Sequence, residues 1–424
     1  MTGSHPAAEL AVAVADRLAT PSAAPAALAS QPWWRQSLAH GAPGIALLHI
    51  ELAAAGLRGW QRVHEWLSFI TSAPLTSGPD SHLFYGAPAG AHAIACAAVQ
   101  APGSYQQALD SLDATIAADV RRRVEDAHAR IDAGHLPAVA EYDVIRGLTG
   151  LGAYLLRRDP DGEALRAVLE YLVRLTEPVK DHGETLPGWW SPSSPDGRPH
   201  PDFPGGHANF GLAHGIAGPL ALLGLAARRG ITTPGQLKAM LRILEWLDQW
   251  RNDTGTGPRW PYWINRNHLR AGHRELHGPQ RPGWCYGTTG LARAQQLAAL
   301  AMGDTPRLNM AGHAVAQALA DPAQRAATAD VSLCHGHAGM AHLTTRVIAN
   351  AYPATATHLR TLTPVLLEEV LPPRTEPQDV VTALLGGTAG PALLEGAAGV
   401  ALAILAPAAG TLPHSGWDTC LLIT

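Results

Sequence analysis

Seven times the chain writes Gly-x-x-Gly, once with an extra residue inserted, and each time the glycines open an apolar run. The first glycines stand at Gly41, Gly86, Gly147, Gly215, Gly287, Gly336 and Gly396, at intervals of 45 to 72 residues. A supersecondary unit repeated at such intervals cannot cover its own apolar face and has to stack on its neighbours. The runs Ile45–Leu48, Pro219–Leu223 and Val400–Ile404 are apolar on every side, which marks helices buried on every side. The segments that precede the glycines are more amphipathic. Between Gln236 and Trp250, for example, Leu237, Met240, Leu241, Leu244 and Leu247 recur at helical spacing. Gly56, Gly230 and Gly303 stand where left-handed caps would end three of the runs. Alternation of the strand type is scarce. The pattern predicts an all-α fold of two concentric rings, with seven buried inner helices, seven outer helices with a wet face, and the Gly-rich turns at one face.

Composition narrows the function classes. The chain has 424 residues, 46% of them hydrophobic, which is ample for a large core. Only 16% are charged and the formal net charge is −4, which argues against a nucleic-acid binder or a polybasic membrane surface. The apolar stretches Gly211–Ala227 and Leu393–Ala408 are short for a membrane span, and the first carries His214, so both read as buried helices. The N-terminus has no basic region ahead of its Ala-rich stretch, and Glu9 and Asp16 interrupt it, so it is not read as a signal peptide. The expectation is a cytoplasmic protein with reduced thiols, in which residues 1–30 form an Ala-rich extension of helical composition and residues 31–424 a single domain. Two irregular stretches, Glu177–Asn209 and Arg251–Gly283, are long enough to suggest function rather than mere connection. Their Trp189, Trp190, Trp260 and Trp263 suit a peptide groove and core packing equally well.

The residues directly before the first glycines are His40, Tyr85, Arg146, His214, Tyr286, His335 and Glu395, a polar set for the ends of buried helices. Two of these turns read Trp284-Cys285-Tyr286-Gly287 and Cys334-His335-Gly336. Four cysteines in so long a chain are no disulfide scaffold. Two thiols and one imidazole make a zinc ligand set, and three protein ligands leave the fourth tetrahedral position open, as in catalytic rather than structural sites. No C-x-x-C pair, the usual mark of a structural zinc site, is present. A Cys285–Cys334 disulfide and a pair of inert buried thiols are the competing readings.

Longer strings surround these turns: Tyr142–Gly150, Gly211–Gly218, Arg281–Gly287, Leu333–Gly336 and the ending Trp417–Leu422. With them the chain resembles the lanthionine synthetase C family, the cyclases of lanthipeptide biosynthesis, from about Trp33 to its end. The resemblance implies an α/α toroid and a catalytic Zn2+ held by Cys285, Cys334 and His335. It also implies that Asp143, His214, Arg281 and Tyr286 are site residues. The implied reaction adds a peptide Cys thiol to dehydroalanine or dehydrobutyrine, giving a thioether. A free Cys thiol, with a pKa of about 8.5, offers little thiolate at neutral pH, so an open metal position suits its activation. His214 then suits proton transfer, Asp143 its orientation, Arg281 the developing enolate oxygen, and Tyr286 either that oxygen or the peptide. Plainer roles stand beside these: a core histidine, a helix N-cap, a surface ion pair and a packed ring.

The implied partners are a dehydrated precursor peptide and a separate dehydratase, because no dehydratase region precedes the repeats. The short interval between the second and third turns leaves no room for an inserted peptide-docking subdomain. A zinc module of the same fold that only binds thiols, such as glutathione or a peptide Cys, is the alternative. A zinc prenyltransferase on a similar toroid fits the ligand spacing poorly.

Overall fold

The structure is a computed structural model that describes residues 6–23, 28 and 30–424. A helix follows each of the seven glycine turns: Ala42–Ala54, Ala87–Ala98, Leu148–Arg158, Ala217–Arg228, Thr288–Met302, His337–Ile348 and Ala397–Ala409. Their apolar composition predicts burial all round, and every residue from Ala42 to Ala53 and from Ala397 to Ile404 is buried. Helices between them, such as Glu163–Leu175, keep one face wet. In Gln236–Gln249 the buried stripe is Ala239, Met240, Ile243, Leu244 and Leu247, whereas Leu237 and Leu241 are exposed. Leucine spacing alone therefore placed the stripe too broadly; Ala239 and Ile243 complete it on one side and leave those two leucines in water.

The helices fall into two compact units. One comprises the described chain up to Ile116, with Thr328–Ala349 and Ala356–Asp418. In it the buried helices pack side by side in the order His337–Ile348, Ala397–Ala409, Ala42–Ala54, Ala87–Ala98. Gln61–Ile70 lies against the last two of these. The Ala-rich N-terminal stretch contributes the helix Pro6–Arg17, which buries Leu10, Ala11 and Val14 and packs on Ala397–Ala409; residues 1–5, 24–27 and 29 lie outside the described residues. The second unit comprises Ala117–Ala327, Asn350–Thr355 and Thr419–Thr424. Its buried helices run Leu148–Arg158, Ala217–Arg228, Thr288–Met302, with Glu163–Leu175, Gln236–Gln249 and Thr305–Ala320 packed against them. The long stretches of this unit hold three two-stranded antiparallel ribbons, one of which pairs His207–Asn209 with Trp263–Asn265. Among the described residues no helix is long and apolar enough to cross a membrane.

The chain folds back tightly at the glycine turns: a Cβ on any of the seven first glycines would lie 2.0–2.5 Å from a backbone atom. A Cβ on Gly290 would lie 2.1 Å from the Trp284 carbonyl oxygen, and Gly287 has φ +120°, where L residues are strained. Adjacent turns are stitched by backbone hydrogen bonds, which satisfy groups that would otherwise be buried unpaired. In one unit Val144 N donates to Ala213 O (3.0 Å) and Leu212 N to Cys285 O (3.0 Å). In the other, Cys334 N donates to Leu394 O (2.8 Å) and Leu393 N to Ala39 O (2.9 Å). This stitching fixes the backbone on both sides of the reactive side chains. All seven residues that precede the first glycines keep some exposure to solvent.

The C-terminal string is structural. Asp418, fully buried, takes His342 Nε2 at 2.8 Å and the Arg346 guanidinium at 2.6 and 2.7 Å, while Trp417 stacks on His342 at 4.8 Å. Leu421 O and Ile423 O accept the indole N–H of Trp284 and the Nε–H of Arg293, both at 2.9 Å.

Candidate active site

Asp143 ends the short helix Val139–Tyr142 in extended backbone, and its buried carboxylate does two jobs. Oδ1 accepts the N–H groups of Arg146 and Gly147, both at 2.7 Å, which satisfies donors at the start of Leu148–Arg158. Oδ2 lies 2.7 Å from Nδ1 of His214. The N-cap of Leu148–Arg158 is Gly147, so Asp143 is not the capping residue; its carboxylate instead braces the turn before the helix. With Nδ1 held by a carboxylate, the neutral ring carries its hydrogen there, and Nε2 is the basic atom.

Tyr286 faces this pair, its ring 6.3 Å from that of His214. Asn209 Nδ2 donates to the Tyr286 hydroxyl at 2.9 Å, and Asn209 Oδ1 accepts the Gly211 N–H at 3.0 Å. Tyr262 and Trp263 pack on Tyr286 with centroids 5.4 and 5.9 Å away, and Phe203 lies 6.1 Å from Trp263. Phe203, Tyr262, Trp263 and Tyr286 are half-exposed and form a continuous aromatic wall beside His214. Of the four tryptophans weighed for a groove, Trp189, Trp190 and Trp260 are core residues and Trp263 alone belongs to the wall. Burial pushes the Tyr262 phenol up, against the pull of Arg281 nearby. The Nε of Arg281 is buried without a hydrogen-bond partner, an unspent donor in a half-buried guanidinium.

Cys285 is buried, and its carbonyl is held by Leu212 N–H. On the Cys334 turn, His335 Nε2 lies 2.8 Å from Asp330 Oδ2. Burial alone would raise the Asp330 carboxyl, but hydrogen bonds from His335 and Ser332 outweigh it and hold the group well below the usual carboxylate range. One ligand atom each from Cys285, Cys334 and His335 lie within 4.8 Å of one another. The ligands of a tetrahedral zinc, bonded at about 2.0–2.3 Å, stand roughly 3.5–3.8 Å apart, so these residues are a group that could hold a metal ion. The structure forms no Cys285–Cys334 disulfide.

Four contributors were missed in the sequence: Phe203, Asn209, Tyr262 and Asp330. Asn209 and Asp330 stand six residues before a first glycine, as does Arg281, so for these two the repeat itself held the signal.

The structure is similar to that of nisin cyclase, with a TM-score of 0.72, 22% identity and 93% of each chain covered, which gives the chain the α/α toroid fold. The chain is 25% identical to the nisin biosynthesis protein NisC of Lactococcus lactis subsp. lactis over 312 residues, 72% of each sequence. Residues 32–422 match the family described as Lanthionine synthetase C-like protein. With that match spanning all seven turns, the chain belongs to the lanthionine synthetase C-like family.

Proposed function

We propose that the protein is a zinc-dependent lanthipeptide cyclase, with Cys285, Cys334 and His335 as metal ligands. It would join peptide Cys thiols to dehydroalanine or dehydrobutyrine in a dehydrated precursor, forming lanthionine or methyllanthionine rings. The observation that carries the reading is the convergence of two thiols and an imidazole within 4.8 Å in a chain of this family. The names of the similar proteins, nisin cyclase and a nisin biosynthesis protein, point the same way. Zinc bound there would lower the pKa of an incoming thiol and hold it as thiolate near neutral pH.

The reaction is an addition and consumes no oxidant or reductant. A C–S bond forms at the β-carbon, the C=C π pair moves toward the neighbouring carbonyl, and the α-carbon finally takes a proton. His214, its Nδ1 anchored on Asp143, carries the proton through Nε2. Arg281 supplies its unspent donor to the enolate oxygen. The wall of Phe203, Tyr262, Trp263 and Tyr286 covers the peptide and lowers the local dielectric. A module that only captures thiols needs the metal alone, so the pairing of the partly exposed His214 with the buried Asp143 carboxylate speaks for catalysis. The substrate has to come from a separate dehydration of Ser or Thr, and the reading places the chemistry in the cytoplasm, where thiols stay reduced.

The test is incubation with a dehydrated, Cys-containing peptide, followed by alkylation of the remaining thiols. Loss of alkylation without change in peptide mass supports cyclisation; full alkylation after prolonged incubation rejects it.

A further inference from the structure

We infer that Asp330 is the positioning residue of the metal site, and that it selects Nδ1 of His335 as the coordinating atom. The inference rests on the zinc reading above. An imidazole can offer either nitrogen to a metal, and the hydrogen bond made by one decides which lone pair the other presents. Here Nε2 is engaged by Asp330 Oδ2 at 2.8 Å, so the ligand role falls to Nδ1.

The carboxylate is built into the turn. Oδ1 accepts the Ser332 N–H at 2.8 Å, and Ser332 Oγ accepts the N–H of His335 at 3.2 Å. The Asp330 carbonyl takes the His337 N–H at 3.2 Å and lies 3.1 Å from His337 Nδ1. Gly336 makes the space: a Cβ there would lie 2.4 Å from Asp330 Oδ1 and 2.0 Å from Ser332 N. At this turn the glycine of the repeat admits a carboxylate beside the ligand histidine. The matching position of the fourth turn holds Asn209, whose side chain likewise caps an N–H two residues on.

Asp330→Asn separates shape from charge. Its Oδ1 still accepts from Ser332, but its amide turned toward Nε2 would donate, push the ring hydrogen to Nδ1 and block ligation. Asp330→Ala removes both interactions, and Asp330→Glu retains the charge. The measurement is zinc affinity by competition with a chromophoric chelator, together with the absorption spectrum of the Co2+-loaded protein. We expect one zinc bound by the parent protein and an affinity loss of about 10–100-fold in Asp330→Asn and Asp330→Ala. The Co2+ bands should be altered in both variants and partly restored in Asp330→Glu, and metal-free Asp330→Asn should stay folded and unfold cooperatively, slightly less stable than the metal-free parent. If Asp330→Asn is folded and keeps the parent's affinity and Co2+ spectrum, this inference is overturned and the zinc reading stands. If the parent itself takes up no zinc, the zinc reading falls and the inference with it.

Discussion

Replacing Asp143 by Asn removes one charge and leaves the shape of the site intact. The carboxylate divides its work: Oδ1 receives the N–H groups of Arg146 and Gly147 at 2.7 Å each, and Oδ2 holds His214 Nδ1 at 2.7 Å. The Asn oxygen can keep the two backbone donors. Exchanging charged for neutral acceptors then costs about 1–2 kcal/mol of stability. The Asn amide has only hydrogens to offer His214, so Nδ1 must become the acceptor and the ring hydrogen moves to Nε2. The base at Nε2 disappears, and cyclisation should slow by about 10²–10⁴-fold, the usual worth of a positioned acid–base group. Zinc content should not change. Because Asp143 acts through His214, Asp143→Asn added to His214→Asn should slow the reaction no further than His214→Asn alone. The assay is ring closure in a dehydrated peptide with a single Cys, followed by alkylation and mass spectrometry. If Asp143→Asn closes the ring within twofold of the parent rate, His214 does not act through Nε2 and the reasoning is refuted.

Other outcomes follow from the same structure. His49 is buried, with Nε2 2.8 Å from Leu18 O, and burial, partly offset by that bond, pushes its pKa down to about 4 from 6.5. The unfolded chain therefore binds a proton that the fold refuses: stability is complete above about 6.5 and declines as pH falls toward 4, by at most about 3 kcal/mol. Denaturant unfolding at stepped pH should show this slope, and His49→Gln should lessen it; an unchanged slope would remove His49 as its source. Gly290→Ala places a methyl 2.1 Å from the Trp284 oxygen and should cost about 2–3 kcal/mol while loosening zinc, seen as lowered melting temperature and metal content. Trp263→Ala should raise KM for the peptide about 5-fold, the worth of about 1 kcal/mol of aromatic contact, with kcat and zinc content preserved. A fall in kcat alone would move Trp263 from substrate binding to chemistry.

The buried helices were legible because runs such as Ile45–Leu48 and Val400–Ile404 are apolar on every face, a pattern with few structural solutions. The outer helices were read less well, since Leu237 and Leu241 share the helical period of Leu244 and Leu247 yet face water. Cys285, Cys334 and His335 could be grouped by their chemistry, and the structure gathers their ligand atoms. Contacts between residues far apart in sequence were not legible. Nothing local couples His207–Asn209 to Trp263–Asn265, or marks Trp189, Trp190 and Trp260 as core and Trp263 as wall. Asp330 and Asn209 carry no local signal beyond their place six residues before a first glycine, from which a side chain reaches into the same turn.

The central claim is that one metal ion, held by Cys285, Cys334 and His335, carries ring closure. Its most direct test is to measure bound zinc and cyclisation rate on the same preparations of the parent protein, Cys285→Ala and Cys334→Ala, before and after chelation and zinc readdition. The account predicts one zinc per chain in the parent, reversible loss of activity on chelation, and loss of both zinc and activity in each variant. Full zinc content in the variants, or undiminished ring closure by metal-free parent protein, would contradict it.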